Sequence, residues 1–195
     1  MTTSWSTSVL PRLALSDRHN AVANLAFGIG TTVLARTLGI RPAGLRRSSW
    51  RSGLAWGTAV GAVPVVGAVV IAAQPSWLER VRPSENDLAE WILFRIPFGT
   101  VVCEELVFRS VFDAVAPALS PMFIGLWHIR PARTAGDSVV GTVVFTAAAG
   151  VMFSWLRRRS GSILAPALMH LSVNVSGAVL AGTRLSAGTR PLELG

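Results

Sequence analysis

Glu104 and Glu105 stand side by side in the middle of a long apolar run, Ile92 to Leu119, and Arg109 follows four residues after the second. Placing an ionisable side chain at the centre of a bilayer costs about 2.5–3.5 kcal/mol on insertion scales. Three such groups within six residues need a use, and proton-transfer chemistry is the use that fits best. Two of the three histidines, His128 and His170, also lie in apolar segments, and Asn174 follows His170 by four residues. Polar groups stranded in lipid turn towards a shared interior and satisfy one another. Three separate helices are therefore expected to converge on one cavity.

Helical geometry separates the two carboxylates. Glu105 and Arg109 are i, i+4 and share a face, which predicts an ion pair between them. Glu104 points about 100° away and is left to face the cavity. His170 and Asn174 share a face in the same way, and Gly177 continues it one turn later. A carboxylate can act as a general base towards water. An imidazole can orient that water or bind a metal, and a carboxamide can donate to a developing oxyanion. Together these are the parts of a hydrolase. Taken singly, each group has a plainer reading: a packing ion pair for Glu104, Glu105 and Arg109, an interfacial histidine for His128, an interhelical hydrogen bond for His170 and Asn174.

The elements that must position these groups follow from hydropathy. The chain has 195 residues, of which 51% are hydrophobic and only 14% charged, with a mean hydropathy of +0.50. Apolar blocks of about 20 residues read as membrane helices. Residues 1–18 are expected to form a polar, mobile N-terminal tail, 19–183 a single membrane-embedded domain, and 184–195 a C-terminal tail. Spans are predicted at 20–38, 53–73, 91–119, 138–156 and 161–181, with a short helix at 121–129 and a loop at 131–137. This makes an all-α polytopic bundle of about six membrane segments. Gly53, Gly57 and Gly61 recur at four-residue spacing, a face that lets another helix approach closely.

All eighteen basic residues are Arg, against ten acidic ones, for a net charge of +8. In a soluble chain this balance would suggest nucleic acid. Here the arginines cluster in short loops, at 36–51 and 157–159, so they read as topogenic charge facing anionic headgroups. The rule places both clusters on the cytoplasmic side. Cys103 is the single cysteine, so no intrachain disulfide can form, and a thiol surrounded by lipid reads as packing.

The motif order resembles one family. Glu104-Glu105-Leu106-Val107-Phe108-Arg109 reads as EExxxR, and His170-Leu171-Ser172-Val173-Asn174 reads as HxxxN. Between them Phe123 to His128 resembles FxxxH, with the Phe five residues before the His instead of four, where Ile124 stands. Ser110 replaces the Gly that commonly follows the motif Arg. On these motifs, over residues 95–180, the chain is similar to the CPBP intramembrane proteases, also called the CAAX-protease or Abi family. The resemblance implies peptide-bond hydrolysis within the membrane. Glu104 would activate water, His128 would help to position it, and His170 and Asn174 would form the oxyanion site. Glu105 and Arg109 would hold the helix geometry. The resemblance leaves the cofactor open between Zn²⁺, held by Glu104, His128 and His170, and none. It implies a peptide or protein substrate, with or without a lipid anchor, at a bacterial plasma membrane. Two other classes stay open: a bacteriocin-immunity or binding protein on the same scaffold, and a small ion-coupled transporter. The latter would be expected to show inverted repeats, and none is visible.

Overall fold

The computed structural model describes residues 4–188, so 1–3 and the 189–195 part of the expected C-terminal tail lie outside the described residues. Within them the chain is all-helical, with no strand. In chain order the main helices are α1 (Asp17–Thr37), α2 (Trp50–Ala73), α3 (Trp91–Val102), α4 (Glu105–Phe112), α5 (Ser120–Trp127), α6 (Ile129–Ala135), α7 (Val139–Ser160) and α8 (Leu164–Gly188). The α8 helix takes in residues 184–188, the start of the expected tail.

Among the described residues three helices are long and apolar enough to cross a membrane: Arg47–Ala73, Val139–Ser160 and Leu164–Gly188. The other two expected spans are helical but more polar. Asn20, Asn24, Thr31, Thr32 and Arg36 lie on α1, and the carboxylates and Arg109 lie on the α3–α4 segment. The polarity of the bundle is inverted relative to a water-soluble protein. Val140 is 75% exposed and Phe145 66%, whereas Glu104, Glu105, Arg109, Asp113 and His170 are buried. An apolar exterior around a polar interior is the arrangement that lipid selects.

Several boundaries differ from the sequence expectation, each for a physical reason. The run expected as one span at 91–119 opens as two wide π-helical stretches, α3 and α4, meeting at Cys103 and Glu104, and its helix ends at Val115 after one short α-helical turn. Pro97, which has no N–H to give, lies inside the first. The three arginines do not stop α7. They form its last turn, where positive charge opposes the helix dipole, and Gly161 ends it at φ 71°. The expected loop at 131–137 is helical through Ala135, because Pro131 falls in the first turn of α6, where no N–H is needed. Residues Trp5–Val9 and Leu10–Arg12, expected as mobile tail, are helical too. There the Trp5 ring stacks on Phe27 at 4.5 Å, and Ser6 Oγ donates to the Trp127 carbonyl at 3.0 Å.

Small residues set the helix crossings. The Gly53–Gly57–Gly61 face of α2 lies against α8 and the turn before it. A methyl group at Gly57 would come within 2.8 Å of Leu168, and one at Gly61 within 2.8 Å of Ser172 Oγ. Gly125 of α5 and Gly150 of α7 bring those helices together in the same way, and Gly28 of α1 abuts the Cys103 backbone. Cys103 is itself fully buried beside Val107, Phe108, Ile124 and Trp127, a packing position. The two basic segments meet at one end of the bundle, where the Ile163 N–H donates to the Gly44 carbonyl at 3.0 Å. At the other end Arg95 pairs with Asp17 at 3.0 Å and Arg82 with Asp137 at 3.0 Å.

Candidate active site

Glu104 sits at the junction of α3 and α4, and its buried carboxylate faces two imidazoles from different helices. His128 Nε2 is 3.9 Å from Glu104 Oε1, and His170 Nε2 is 3.9 Å from Glu104 Oε2. These separations are too long for direct hydrogen bonds and suit one intervening water. Glu104 Oε2 has no hydrogen-bond partner among protein atoms.

Each ring is aimed by its other nitrogen. His128 caps α5, and its Nδ1 lies 2.9 Å from the Ile124 carbonyl. A carbonyl only accepts, so Nδ1 carries the proton and Nε2 is turned to Glu104. This also explains why Ile124 can stand where the motif has Phe. The contact to His128 comes from the backbone, which any residue supplies, while the Ile124 side chain packs in the core. On α8, His170 Nδ1 lies 3.1 Å from Glu105 Oε1, and its ring packs on Phe153 at 5.2 Å. Asn174 Nδ2 donates to the His170 carbonyl at 3.1 Å, leaving its second N–H for the cavity.

Glu104, His128, His170 and Asn174 line one cavity of about 100 Å³, with Thr146, Ala149 and Phe153 of α7. Its wall also includes Phe145 and Val173, which are exposed on the outside of the bundle.

The expected Glu105–Arg109 ion pair is not formed. Glu105 turns to His170, and Arg109 turns to Asp113, 3.7 Å away on the next turn. The reason is the company Asp113 keeps. Ser154 Oγ donates to its Oδ1 at 3.0 Å and Arg157 Nε to its Oδ2 at 2.9 Å, both from α7. Arg109 is completed by the Gly150 carbonyl (2.6 Å), Ser154 Oγ and Ser120 Oγ (3.1 Å). Sequence reasoning missed Asp113, although it lies in the same apolar run and is i+4 from Arg109, a spacing that could have revealed it.

Residues 86–176 match the family model described as type II CAAX prenyl endopeptidase Rce1-like. Over this segment the chain is similar to the Rce1-like family. Every motif residue named above, from Glu104 to Asn174, falls inside the matched segment. No curated protein and no solved structure matches the chain. This match supports, in general terms, a membrane-embedded endopeptidase of the CAAX type, acting on a peptide or protein.

Glu104, His128 and His170, the set that would take Zn²⁺, do not gather tightly enough for that role. Among the described residues no three His, Cys, Asp or Glu side chains do.

Proposed function

We propose that the chain is an intramembrane endopeptidase in which Glu104 activates the attacking water. The observation that carries this reading is the pairing of both imidazole Nε2 atoms with separate oxygens of one buried carboxylate, inside a cavity large enough for a few waters. A water between Glu104 and His128 would give its proton to the carboxylate while the unprotonated Nε2 of His128 accepts its second hydrogen. The water oxygen attacks the scissile carbonyl carbon. The oxygen that gains charge is met by the second Nδ2–H of Asn174 and by the Nε2–H of His170, which acts as an imidazolium whose Nδ1–H stays on Glu105. Glu104 then returns the proton to the leaving amine, giving a carboxylic acid product and a free amine. No step requires a metal.

The exposed Phe145 and Val173 suggest a route to the cavity from the bilayer, between α7 and α8. Such a route suits a substrate held in the membrane by a lipid chain. The 19–183 unit is proposed as the working domain.

The test is cleavage of a fluorogenic farnesylated CaaX peptide by the full chain in lipid nanodiscs, beside its unprenylated twin. Wild type is expected to cleave, and Glu104→Gln to lose activity by about 10²–10⁴-fold, the range for a positioned general base. Full activity in Glu104→Gln would end the assignment.

A further inference from the structure

Arg109 has a carboxylate one turn away on either side, Glu105 at i−4 and Asp113 at i+4, and both spacings allow a pair. It takes Asp113. Two buried atoms are left over by that choice: Glu105 Oε2 and Arg109 Nε, neither of which has a hydrogen-bond partner. They are of opposite charge and belong to adjacent turns of α4, so they are the components of the ion pair that has not formed. What holds them apart is the grip on Arg109 from the other side: it donates to the Gly150 carbonyl, Ser154 Oγ and Ser120 Oγ, and Asp113, its two oxygens fixed by Ser154 and Arg157 of α7, supplies the facing charge at 3.7 Å.

We propose that Asp113 is a positioning residue: by holding Arg109 against α7 it keeps Glu105 available to orient His170. When Asp113 is neutralised, Arg109 turns back to Glu105 and draws the carboxylate off His170 Nδ1. The imidazole then loses the bond that aims its Nε2 into the cavity. Arg157, from the basic last turn of α7, acts in the same chain by holding Asp113 in place. No covalent step is involved, and the inference rests on the endopeptidase reading only for its kinetic arm.

The experiment uses full-length protein in nanodiscs, labelled with ¹⁵N-histidine, with the three histidines assigned through His19→Gln and His128→Asn. Asp113→Asn is close to isosteric with the native residue. It is expected to abolish the downfield Nδ1–H signal of His170 and leave the His128 signals in place. Asp113→Glu, which keeps the charge, is expected to retain the His170 signal. With the farnesylated CaaX peptide, Asp113→Asn is expected to lower kcat about 10- to 100-fold, the cost of losing a charge-assisted hydrogen bond, with KM little changed. In a Glu105→Gln background the same substitution is expected to cost nothing further, because its route to His170 is already cut. A general packing defect would instead add to the Glu105→Gln loss. Should Asp113→Asn fail to fold, Ser154→Ala removes one hydroxyl from the same grip and is expected to shift the His170 signal in the same direction. An unmoved His170 signal in folded Asp113→Asn, or failing that in Ser154→Ala, overturns the proposal. The spectrum decides this even if Glu104→Gln retains cleavage and the endopeptidase reading falls.

Discussion

Glu105→Gln keeps the shape of the side chain and removes its charge, which makes it the sharpest probe of the division of labour between the adjacent carboxylates. Glu105 Oε1 receives a charge-assisted bond from His170 at 3.1 Å. Such bonds are worth about 1.5–3 kcal/mol and neutral ones about 0.5–1.5 kcal/mol, so the substitution weakens the hold on the ring by about 1–2 kcal/mol. If the ring is needed in that pose at the transition state, kcat/KM falls about 5- to 30-fold, at about 1.4 kcal/mol per factor of ten. The loss should be far smaller than the roughly 10²–10⁴-fold expected for Glu104→Gln, since Glu104 handles the proton itself. Stability should move little or rise, because a buried charge with one unpartnered oxygen is replaced by a neutral amide. The assay is steady-state cleavage of the farnesylated peptide in nanodiscs, with thermal unfolding run in parallel. Equal losses in Glu104→Gln and Glu105→Gln, or no loss in Glu105→Gln, would refute the assignment of base to one carboxylate and ring-holder to the other.

Gly57→Leu places a side chain where a bare methyl already comes within 2.8 Å of Leu168. It is expected to destabilise the α2–α8 contact by about 1–3 kcal/mol, seen as a lower thermal midpoint with activity lost on mild heating. Ala149→Phe adds a ring to a cavity of about 100 Å³ and is expected to abolish cleavage with little change in unfolding temperature. A collapse of stability without loss of turnover in the folded fraction would contradict the placement of that cavity. Phenanthroline or EDTA is expected to leave the cleavage rate within about twofold, since the Glu104, His128 and His170 set does not close on a zinc-sized centre. Loss of activity restored by added Zn²⁺ would count against that prediction.

What could be read from sequence was whatever depends on residue type in an apolar setting. Glu104, His128, His170 and Asn174 stood out because lipid makes each of them costly, and the cost does not depend on knowing the fold. The glycine face of α2 was readable for the same reason, since a four-residue spacing of small residues in an apolar helix has a packing use wherever the partner lies. Partner choice was not readable. Spacing allowed Arg109 to pair with Glu105 or with Asp113, and the decision rests on Ser154 and Arg157, more than forty positions later on another helix. The π-helical form of α3 and α4 was also hidden, because apolar patterning marks a helix without distinguishing the π form from the α form. Helix limits failed where charge was taken as a stop signal. The arginines at 157–159 extend α7, and the stop is the left-handed Gly161 that follows them.

The bond from Ser6 to the Trp127 carbonyl joins positions 121 residues apart. During synthesis at about 5–20 residues per second, roughly 6–24 s pass between the appearance of its two ends. Trp5 can dock on Asn24 and Phe27 of α1 early in that interval, but the Ser6 bond to Trp127 waits until the turn bearing His128 has been made. The turn that presents His128 thus takes its support from a segment already standing on α1 when that turn is made.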